Sequence, residues 1–215
     1  GFTGERPLMD INQLPFLYSS NTASCGTDIL ESNAASSACS HQVYSASESA
    51  DRTPTAAPAI PDAFRNRILY YESQRGCPFQ CAYCLSSIDK KVRLRDVDTV
   101  QSELRYFLDS RVPQVKFIDR TFNCNQEHAL IIWQYLKEND NGVTNFHFEI
   151  AADLLTEEQL EVMRTMRPGL IQLEIGVQSA NEKTLQAIHR HMDLNALRNT
   201  VAAIHRFQNI HQHLD

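Results

Sequence analysis

Three cysteines lie within eight positions of the chain, in the stretch GCPFQCAYC at 76–84. Cys77, Cys81 and Cys84 are spaced C-x3-C-x2-C, and Tyr83 stands immediately before the last of them. Such clustering does not suit a secreted disulfide framework. In an acidic chain without a signal sequence it is more typical of a metal site in a reducing compartment. The spacing therefore predicts thiolates that bind a metal centre.

The number of thiols bears on the kind of metal centre. A structural zinc ion takes four protein ligands, usually from two paired knuckles, and the chain has no second C-x2-C. Cys124 follows a later strand and is a candidate fourth ligand, so a zinc site stays open. Short cysteine runs also bind [4Fe-4S] clusters, which match this spacing better, and three thiolates then leave one iron free for another ligand.

Length and charge limit the remaining classes of protein. The chain has 215 residues, 42% of them hydrophobic, and a formal net charge of -6, so it can pack a core but carries no basic excess for nucleic acid. No apolar run is long enough to span a membrane. The chain starts at GFTGERPLMD, without an initiator Met or a signal layout. We expect a piece of a longer cytoplasmic protein.

One segment differs in composition from the rest. More than half of residues 19–60 are Ser, Thr or Ala, with no sustained apolar period. Such a segment cannot bury enough apolar surface to offset its ordering entropy, so residues 19–64 are predicted to be a disordered linker. Cys25 and Cys39 lie within it and are expected to be incidental exposed thiols.

Alternating strands and helices begin near residue 65. Short apolar runs predict strands, and apolar residues at helical spacing behind Asp, Asn or Thr caps predict helices. This alternation is typical of βαβ units and a parallel sheet. The predicted strands are 67–73, 114–119, 144–151 and 170–177, and the predicted helices are 96–112, 125–140, 155–166, 181–190 and 194–208.

The third and fourth predicted strands have one apolar and one polar face. Phe146, Phe148 and Ile150 alternate with polar residues, and the fourth strand alternates in the same way. A parallel sheet covered by helices on both faces should instead read as continuous apolar runs. The polar face therefore points into water. Either a partial barrel around a ligand cavity or an open sheet with a solvated face accounts for it.

In this context CPFQCAYC resembles the signature of radical S-adenosylmethionine enzymes. The runs 67–87, 115–123 and 148–155 are similar to members of that superfamily that carry a cobalamin-binding domain, and residues 1–18 are similar to the linker from that domain. The resemblance covers about residues 65–210. It implies an α/β fold, a partial TIM-like (β/α) barrel with about four of six βα units, over residues 65–215.

The resemblance also implies a chemistry. Cys77, Cys81 and Cys84 are expected to ligate a [4Fe-4S] cluster whose open iron chelates the amino and carboxylate groups of S-adenosylmethionine. One electron then cleaves the sulfonium to methionine and a 5'-deoxyadenosyl radical. The implied partners are a small-molecule substrate and an electron donor such as flavodoxin or ferredoxin. Cobalamin-assisted methyl transfer, or a related radical rearrangement, is implied for the longer protein.

Six further positions match cofactor-binding positions of the family. The resemblance implies Tyr83 beside the adenine, Asp119 at the methionine amino group, Glu149 facing inward from the third strand, Glu174 and Gln178 at the ribose and methionyl part, and Arg190 at the methionine carboxylate.

Each of these residues also has an ordinary structural interpretation. Asp119 could form a surface ion pair with Arg120, and buried carboxylates need partners whatever their function, so Glu149 and Glu174 could pair with Lys116. Arg190 could be a cation at a helix carboxyl terminus. Cys124 is either a small buried apolar residue or a thiol that faces a cavity.

The chain departs from the family in two respects. It ends before the later glycine-rich strand motif, and it contains no D-x-H-x-x-G cobalamin signature. Two other functions therefore stay open beside the enzyme: a zinc-binding structural or interaction module, and an inactive truncated remnant. The substrate is not predictable, because the expected substrate end of the barrel lies beyond these residues.

Overall fold

The structure is a computed structural model that describes residues 8–18 and 60–215. The predictions for residues 1–7 and for most of the low-complexity segment, including Cys25 and Cys39, lie outside the described residues. Within the described ranges, no helix is long and apolar enough to cross a bilayer.

Two sheets organise the part of the chain that the structure describes. The larger sheet has five strands, all parallel to their neighbours, in the order β1-β4-β5-β6-β7, and the smaller sheet is an antiparallel pair, β2 and β3. The strands are β1 (Leu69–Tyr71), β2 (Gln74–Arg75), β3 (Arg93–Leu94), β4 (Gln114–Phe117), β5 (Asn145–Ile150), β6 (Ile171–Ile175) and β7 (His211–Leu214). The fold is thus α/β, with a parallel sheet as the sequence predicts.

Among the described residues, five α-helices connect these strands, and polar side chains cap them. Asp96 and Asn125 accept backbone N–H groups at the starts of the first two helices, and Thr156 with Gln159 forms a capping box at the third, as their sequence positions predict. The helices are α1 (Val97–Asp109), α2 (Gln126–Glu138), α3 (Glu157–Arg164), α4 (Glu182–Ala187) and α5 (Leu194–Phe207).

The predicted difference between the two sheet faces is confirmed. The apolar residues of β5 and β6 are buried, whereas the alternating polar residues of both strands are only partly covered. Helices α1, α2, α3 and α5 contribute to one core with this apolar face, around Phe117, Phe148 and Trp133. The polar face is therefore available to form a site.

Two features of the sheet differ from the sequence prediction. The sequence predicts no strand after the helix at 194–208, but His211–Leu214 form β7, which pairs with β6 from Gln172↔His211 to Ile175↔Leu214. His211 and His213 are exposed, so the strand shows none of the apolar alternation that identifies the others. The β2–β3 pair, with two residues in each strand, is too short to have a pattern at all.

Residues 8–18 pack on the edge of this fold. Ile11 is buried, and the hydroxyl of Tyr18 donates to the carbonyl of Tyr70 (2.7 Å) and accepts from its N–H (3.0 Å). The edge of the sheet at β1 is therefore covered by this segment at Tyr70.

Candidate functional site

A cleft of about 190 Å³ lies at the carboxyl ends of the parallel strands. In open parallel sheets this edge is where ligands bind. The strands supply residues at or just past their ends. The cleft is closed from the side by the cysteine loop, which is the segment 76–92 between β2 and β3, and by the segment after α4. The residues that line the cleft include Cys81, Tyr83, Cys84, Thr121, Glu149, Glu174, Gly176, Gln178, Arg190 and Asp215.

The cysteine loop is held at its base by the β2–β3 pair. Gly76 has φ +99°, and a Cβ at this position would lie 2.3 Å from the carbonyl oxygen of Lys91. The N–H of Cys77 donates to the carbonyl of Asp89 (2.9 Å). Gly76 is therefore required both for its backbone conformation and for the close approach of residues 89–91.

The three cysteines occupy different depths. Cys77 and Cys81 are buried and Cys84 is partly exposed, and all three are free thiols. Cys81 and Cys84 line the cleft, whereas the sulfur of Cys77 lies behind it, 3.8 Å from the hydroxyl oxygen of Thr121. The loop thus presents two of its three cysteines to the cleft.

Arg190 connects the cysteine loop to the end of β6. Its Nη1 donates to the sulfur of Cys81 (3.9 Å) and to the hydroxyl of Tyr83 (3.3 Å), and its Nη2 donates to the carbonyl of Gly176. Its buried Nε has no partner among the described residues. One donor of the guanidinium is therefore left unsatisfied by the described residues.

Lys116 joins two carboxylates on the polar face of the sheet. Its Nζ lies 3.5 Å from Oε1 of Glu149 and 3.0 Å from Oε2 of Glu174, and the same Glu174 oxygen lies 3.0 Å from Nε2 of His147. Both carboxylates also line the cleft. Glu149 and Glu174 therefore pair with Lys116, as their structural interpretation expects, and lie at the candidate site as well.

The charges in this cluster set different pKa values for the two carboxylates. Burial raises the pKa of Glu149, and the neighbouring charge of Glu174 raises it further, against Lys116. Burial also acts to raise the pKa of Glu174, but Lys116 and His147 outweigh it and lower that pKa. The pKa of His147 is lowered by burial and by Lys116. Glu174 is thus the carboxylate that the cluster favours in its charged form.

Asp119 lies beneath the loop and is fully buried. Its Oδ1 accepts from the N–H groups of Ser73 (2.8 Å) and Gln74 (3.0 Å), and its Oδ2 accepts from the hydroxyl of Ser73 (2.6 Å). Burial raises its pKa to about 7, although these hydrogen bonds oppose the shift. Arg120 is not its partner in any of these bonds. Asp119 therefore fixes the chain between β1 and β2.

Gln178 lines the cleft three residues after the end of β6. Its backbone has φ +64°, an uncommon conformation for a residue with a side chain, and its N–H donates to the carbonyl of Asp215 (2.8 Å). Strained backbone of this kind is often found where a side chain is held in place for binding. The strand that the sequence did not predict thus helps to hold a predicted site residue.

Most of the predicted site residues come together. Cys81, Cys84, Tyr83 and four of the predicted polar residues line the cleft, whereas Cys77 and Asp119 lie behind its wall. Cys124 is half-buried against the side-chain amide of Gln74 and does not line the cleft. The sequence analysis did not identify Thr121, Asp153, His191 and Asp215, which also line the cleft. The only feature of the sequence that could have identified them is their position shortly after a strand or helix that ends at the cleft.

The donors suit an iron-sulfur cluster with a bound zwitterion. Within residues 8–18 and 60–215, no group of three or more His, Cys, Asp or Glu side chains is arranged to hold a single metal ion. Cysteines that bind a cubane each ligate a different iron, so their sulfurs stand apart. The unpartnered Nε of Arg190 is a suitable donor for a carboxylate.

A protein-family model and one curated protein match this chain. The model of the radical SAM superfamily matches residues 71–211. The uncharacterized methyltransferase PH0819 of Pyrococcus horikoshii is 27% identical over 120 residues, which are 54% of this chain and 25% of that protein. The chain thus spans about a quarter of the length of that curated relative.

Solved structures show the same fold at low identity. The radical S-adenosylmethionine methyltransferase TsrM of Kitasatospora setae, solved with cobalamin and a [4Fe-4S] cluster, has a TM-score of 0.58 at 14% identity, over 69% of this chain and 30% of that one. The cobalamin-dependent S-adenosylmethionine radical enzyme OxsB has a TM-score of 0.57 at 17% identity, over 69% and 23%. Because the family model covers more than half of the chain, including the cysteine loop and the strands around the cleft, the chain belongs to the radical SAM superfamily.

Proposed function

We propose that this chain is the cofactor-binding core of a radical S-adenosylmethionine enzyme. In this proposal Cys77, Cys81 and Cys84 ligate a [4Fe-4S] cluster, and S-adenosylmethionine lies in the cleft beside it. The observation that carries the proposal is that Arg190 contacts the thiol of Cys81 while its buried Nε stays unpartnered among the described residues. Thiols and a free guanidinium donor thus meet at the ligand-binding edge of the sheet.

The chain's own residues bind and orient in this proposal. When bound and reduced, the cluster supplies the electron that splits S-adenosylmethionine into methionine and a 5'-deoxyadenosyl radical. Arg190 neutralises the methionine carboxylate, and Tyr83, half-exposed at the mouth of the cleft, stacks beside the adenine. The carboxylate of Glu174 accepts hydrogen bonds from the ribose and methionyl groups. The side-chain amide of Gln178 both accepts and donates hydrogen bonds there.

Three assignments depend on side chains that already have partners. Glu149 and Glu174 share Lys116, so either carboxylate binds an ammonium or hydroxyl group only in competition with that lysine. Asp119 has three donors from Ser73 and Gln74, so its proposed contact with the methionine amino group requires these bonds to be shared. Of the two glutamates, Glu149 lies farther from Lys116 (3.5 Å against 3.0 Å) and is the more available for a ligand.

The longer protein is proposed to be a cobalamin-dependent methyltransferase. The support is that TsrM is a cobalamin-bound methyltransferase of this fold and that PH0819 bears the name of a methyltransferase. The five-stranded sheet then belongs to a partial (β/α) barrel, with residues 1–18 as the linker from a cobalamin domain and 19–64 as a disordered linker. A flavodoxin or ferredoxin donates the electron to the cluster. The free thiols fit a reducing compartment such as the cytoplasm.

Reductive cleavage is the direct test of this function. The chain is reconstituted with iron and sulfide without oxygen and mixed with dithionite and S-adenosylmethionine. We expect 5'-deoxyadenosine and methionine in equal amounts, and none from a Cys84→Ala variant. Binding of four irons without any cleavage would contradict the enzyme and leave a cluster-binding module.

A further inference from the structure

Arg95 belongs to two parts of the molecule at once. Its backbone N–H donates to the carbonyl of Ser73 (2.9 Å), directly beside the β2–β3 pair that closes the cysteine loop. Its side chain points the other way and binds residues 8–18. There Nη1 donates to the carbonyl of Ile11 and Nη2 to the carbonyl of Leu14, each at 3.0 Å. One residue therefore joins the loop base to a segment about 80 positions earlier in the chain.

The side chain of Arg95 is fixed by an ion pair as well as by these carbonyls. Its Nη2 also contacts Glu103 of α1, and the other oxygen of Glu103 accepts from the hydroxyl of Tyr71 (2.7 Å). The side chains of Arg95 and Glu103 are only 6% and 8% exposed. A buried charge that loses a partner is costly, so movement of residues 8–18 away from Arg95 is opposed.

A second contact holds residues 8–18 beside the same element. The side-chain oxygen of Asn12 accepts from the N–H of Asp96 (2.7 Å), the residue that follows Arg95 and caps α1. The segment therefore binds two consecutive residues at the end of β3. Its position and that of the loop base are set together.

Ser73 carries the connection on to the sheet. Its carbonyl accepts from Arg95, while its N–H and hydroxyl donate to the buried Asp119. Three groups of one fully buried residue are thus occupied, between the loop base and the end of β4. The loop base is held from both sides, by Asp119 within the fold and by Arg95 with residues 8–18 outside it.

We propose that Arg95 is a positioning residue for the cysteine loop, and that residues 8–18 hold the loop base in place through it. Arg95 touches neither the cleft nor a cysteine. It acts through Ser73 and the β2–β3 pair, on which the depth of Cys77 and Cys81 depends. The consequence for the cluster rests on the proposed function, but the effect on the thiols does not.

The first test measures the thiols without any cluster. Cys77 and Cys81 are buried, so a thiol reagent modifies them much faster when the loop opens than when it is closed. We expect Arg95→Lys to raise their rate of modification about tenfold, equivalent to about 1.4 kcal/mol in the opening equilibrium. A lysine keeps the charge but cannot reach two carbonyls and a carboxylate at once. Asn12→Ala, an exposed change on the other side of the contact, should give a smaller increase.

Arg167→Lys is the matched control. Arg167 binds both oxygens of Asp140 and the carbonyl of Thr144, as Arg95 binds a carboxylate and carbonyls, but it lies near the start of β5, away from the cleft. In Arg167→Lys we expect the rates at which Cys77 and Cys81 are modified to stay within about twofold of those in the native chain, well below the tenfold increase expected for Arg95→Lys. Equal acceleration by both lysine variants would mean general destabilisation and would overturn the proposal, as would native rates in a folded Arg95→Lys variant.

The second test uses the reconstituted protein. The paramagnetic resonance spectrum of the reduced cluster reports the arrangement of its ligands. We expect broader or split lines for Arg95→Lys and a native spectrum for Arg167→Lys. A native spectrum in Arg95→Lys would overturn the consequence for the cluster. If the native chain itself binds no cluster, the proposed function fails, while the thiol rates still decide whether Arg95 positions the loop.

Discussion

The guanidinium of Arg190 lies 3.9 Å from the thiol sulfur of Cys81, across the cleft from β5. Hydrogen bonds to cysteine sulfur stabilise the more negative, reduced state of an iron-sulfur cluster and raise its reduction potential. If Cys81 ligates a cluster as proposed, Arg190 is placed to act on that cluster before S-adenosylmethionine binds.

Replacement of Arg190 by lysine should lower the reduction potential of the cluster. A lysine at this position is not expected to reach the sulfur, Tyr83 and the carbonyl of Gly176 together. We expect a shift of about -60 mV, equivalent to a tenfold change in a one-electron equilibrium. Potentiometric titration without S-adenosylmethionine measures it, with Arg198→Lys on the exposed side of α5 as the control. An unchanged potential would show that the contact with Cys81 is not made in the loaded protein.

Replacement of Gly76 by alanine should prevent the cysteine loop from closing. The new Cβ would lie 2.3 Å from the backbone oxygen of Lys91, so the loop base must move. Gly142→Ala is the matched control, since Gly142 also has a positive φ (+75°) but has no atom within 4 Å of an added Cβ. For Gly142→Ala we expect a loss of about 1–2 kcal/mol in the free energy of unfolding, because of backbone strain alone. For Gly76→Ala we expect a larger loss of stability and little uptake of iron. Similar iron uptake by the two variants would contradict this.

Replacement of Lys116 by methionine should raise the pKa of Glu174. In the native chain this lowered pKa contributes stability that is present above the pKa of the unfolded carboxyl and is lost as the pH falls through the folded value. We expect Lys116→Met to cost about 1–3 kcal/mol at neutral pH and less below about pH 4. Urea unfolding at both pH values measures it, with the exposed Lys137→Met as control. An equal cost at both would show that packing, not charge, is lost.

Replacement of Asp119 by asparagine should remove a pH dependence of stability. A carboxyl whose folded pKa is raised to about 7 binds its proton more tightly in the folded state, so native stability falls as the pH rises from the ordinary carboxyl range towards 7. Asparagine keeps an acceptor for the N–H groups of Ser73 and Gln74. We expect the free energy of unfolding of Asp119→Asn to vary less over this window than that of the exposed Asp98→Asn. An identical slope in both would mean that Asp119 stays charged.

The parts of the fold that could be predicted are those with a repeated apolar pattern. The apolar and polar faces of β5 and β6 follow directly from their alternation, so the inward direction of Glu149 and Glu174 was predictable. Strand β7 could not be predicted, because an exposed strand with two histidines and a glutamine is stabilised by pairing with β6 and not by burial.

The site was predictable in its members but not in its connections. The spacing of Cys77, Cys81 and Cys84 identifies a metal-binding loop. It does not show that Lys116 joins two carboxylates or that Arg95 reaches Ile11, since these contacts join residues far apart in sequence. Burial of Asp119 depends on the packing of the loop over β4, which no local pattern encodes.

The most direct test of the central claim is a paramagnetic resonance spectrum of the reconstituted and reduced chain, recorded with and without S-adenosylmethionine. We expect the signal of a reduced [4Fe-4S] cluster, a change in that signal when S-adenosylmethionine binds the open iron, and no signal from a Cys81→Ala variant. A colourless protein with one zinc ion per chain, or a cluster signal that is the same in Cys81→Ala, would contradict the account.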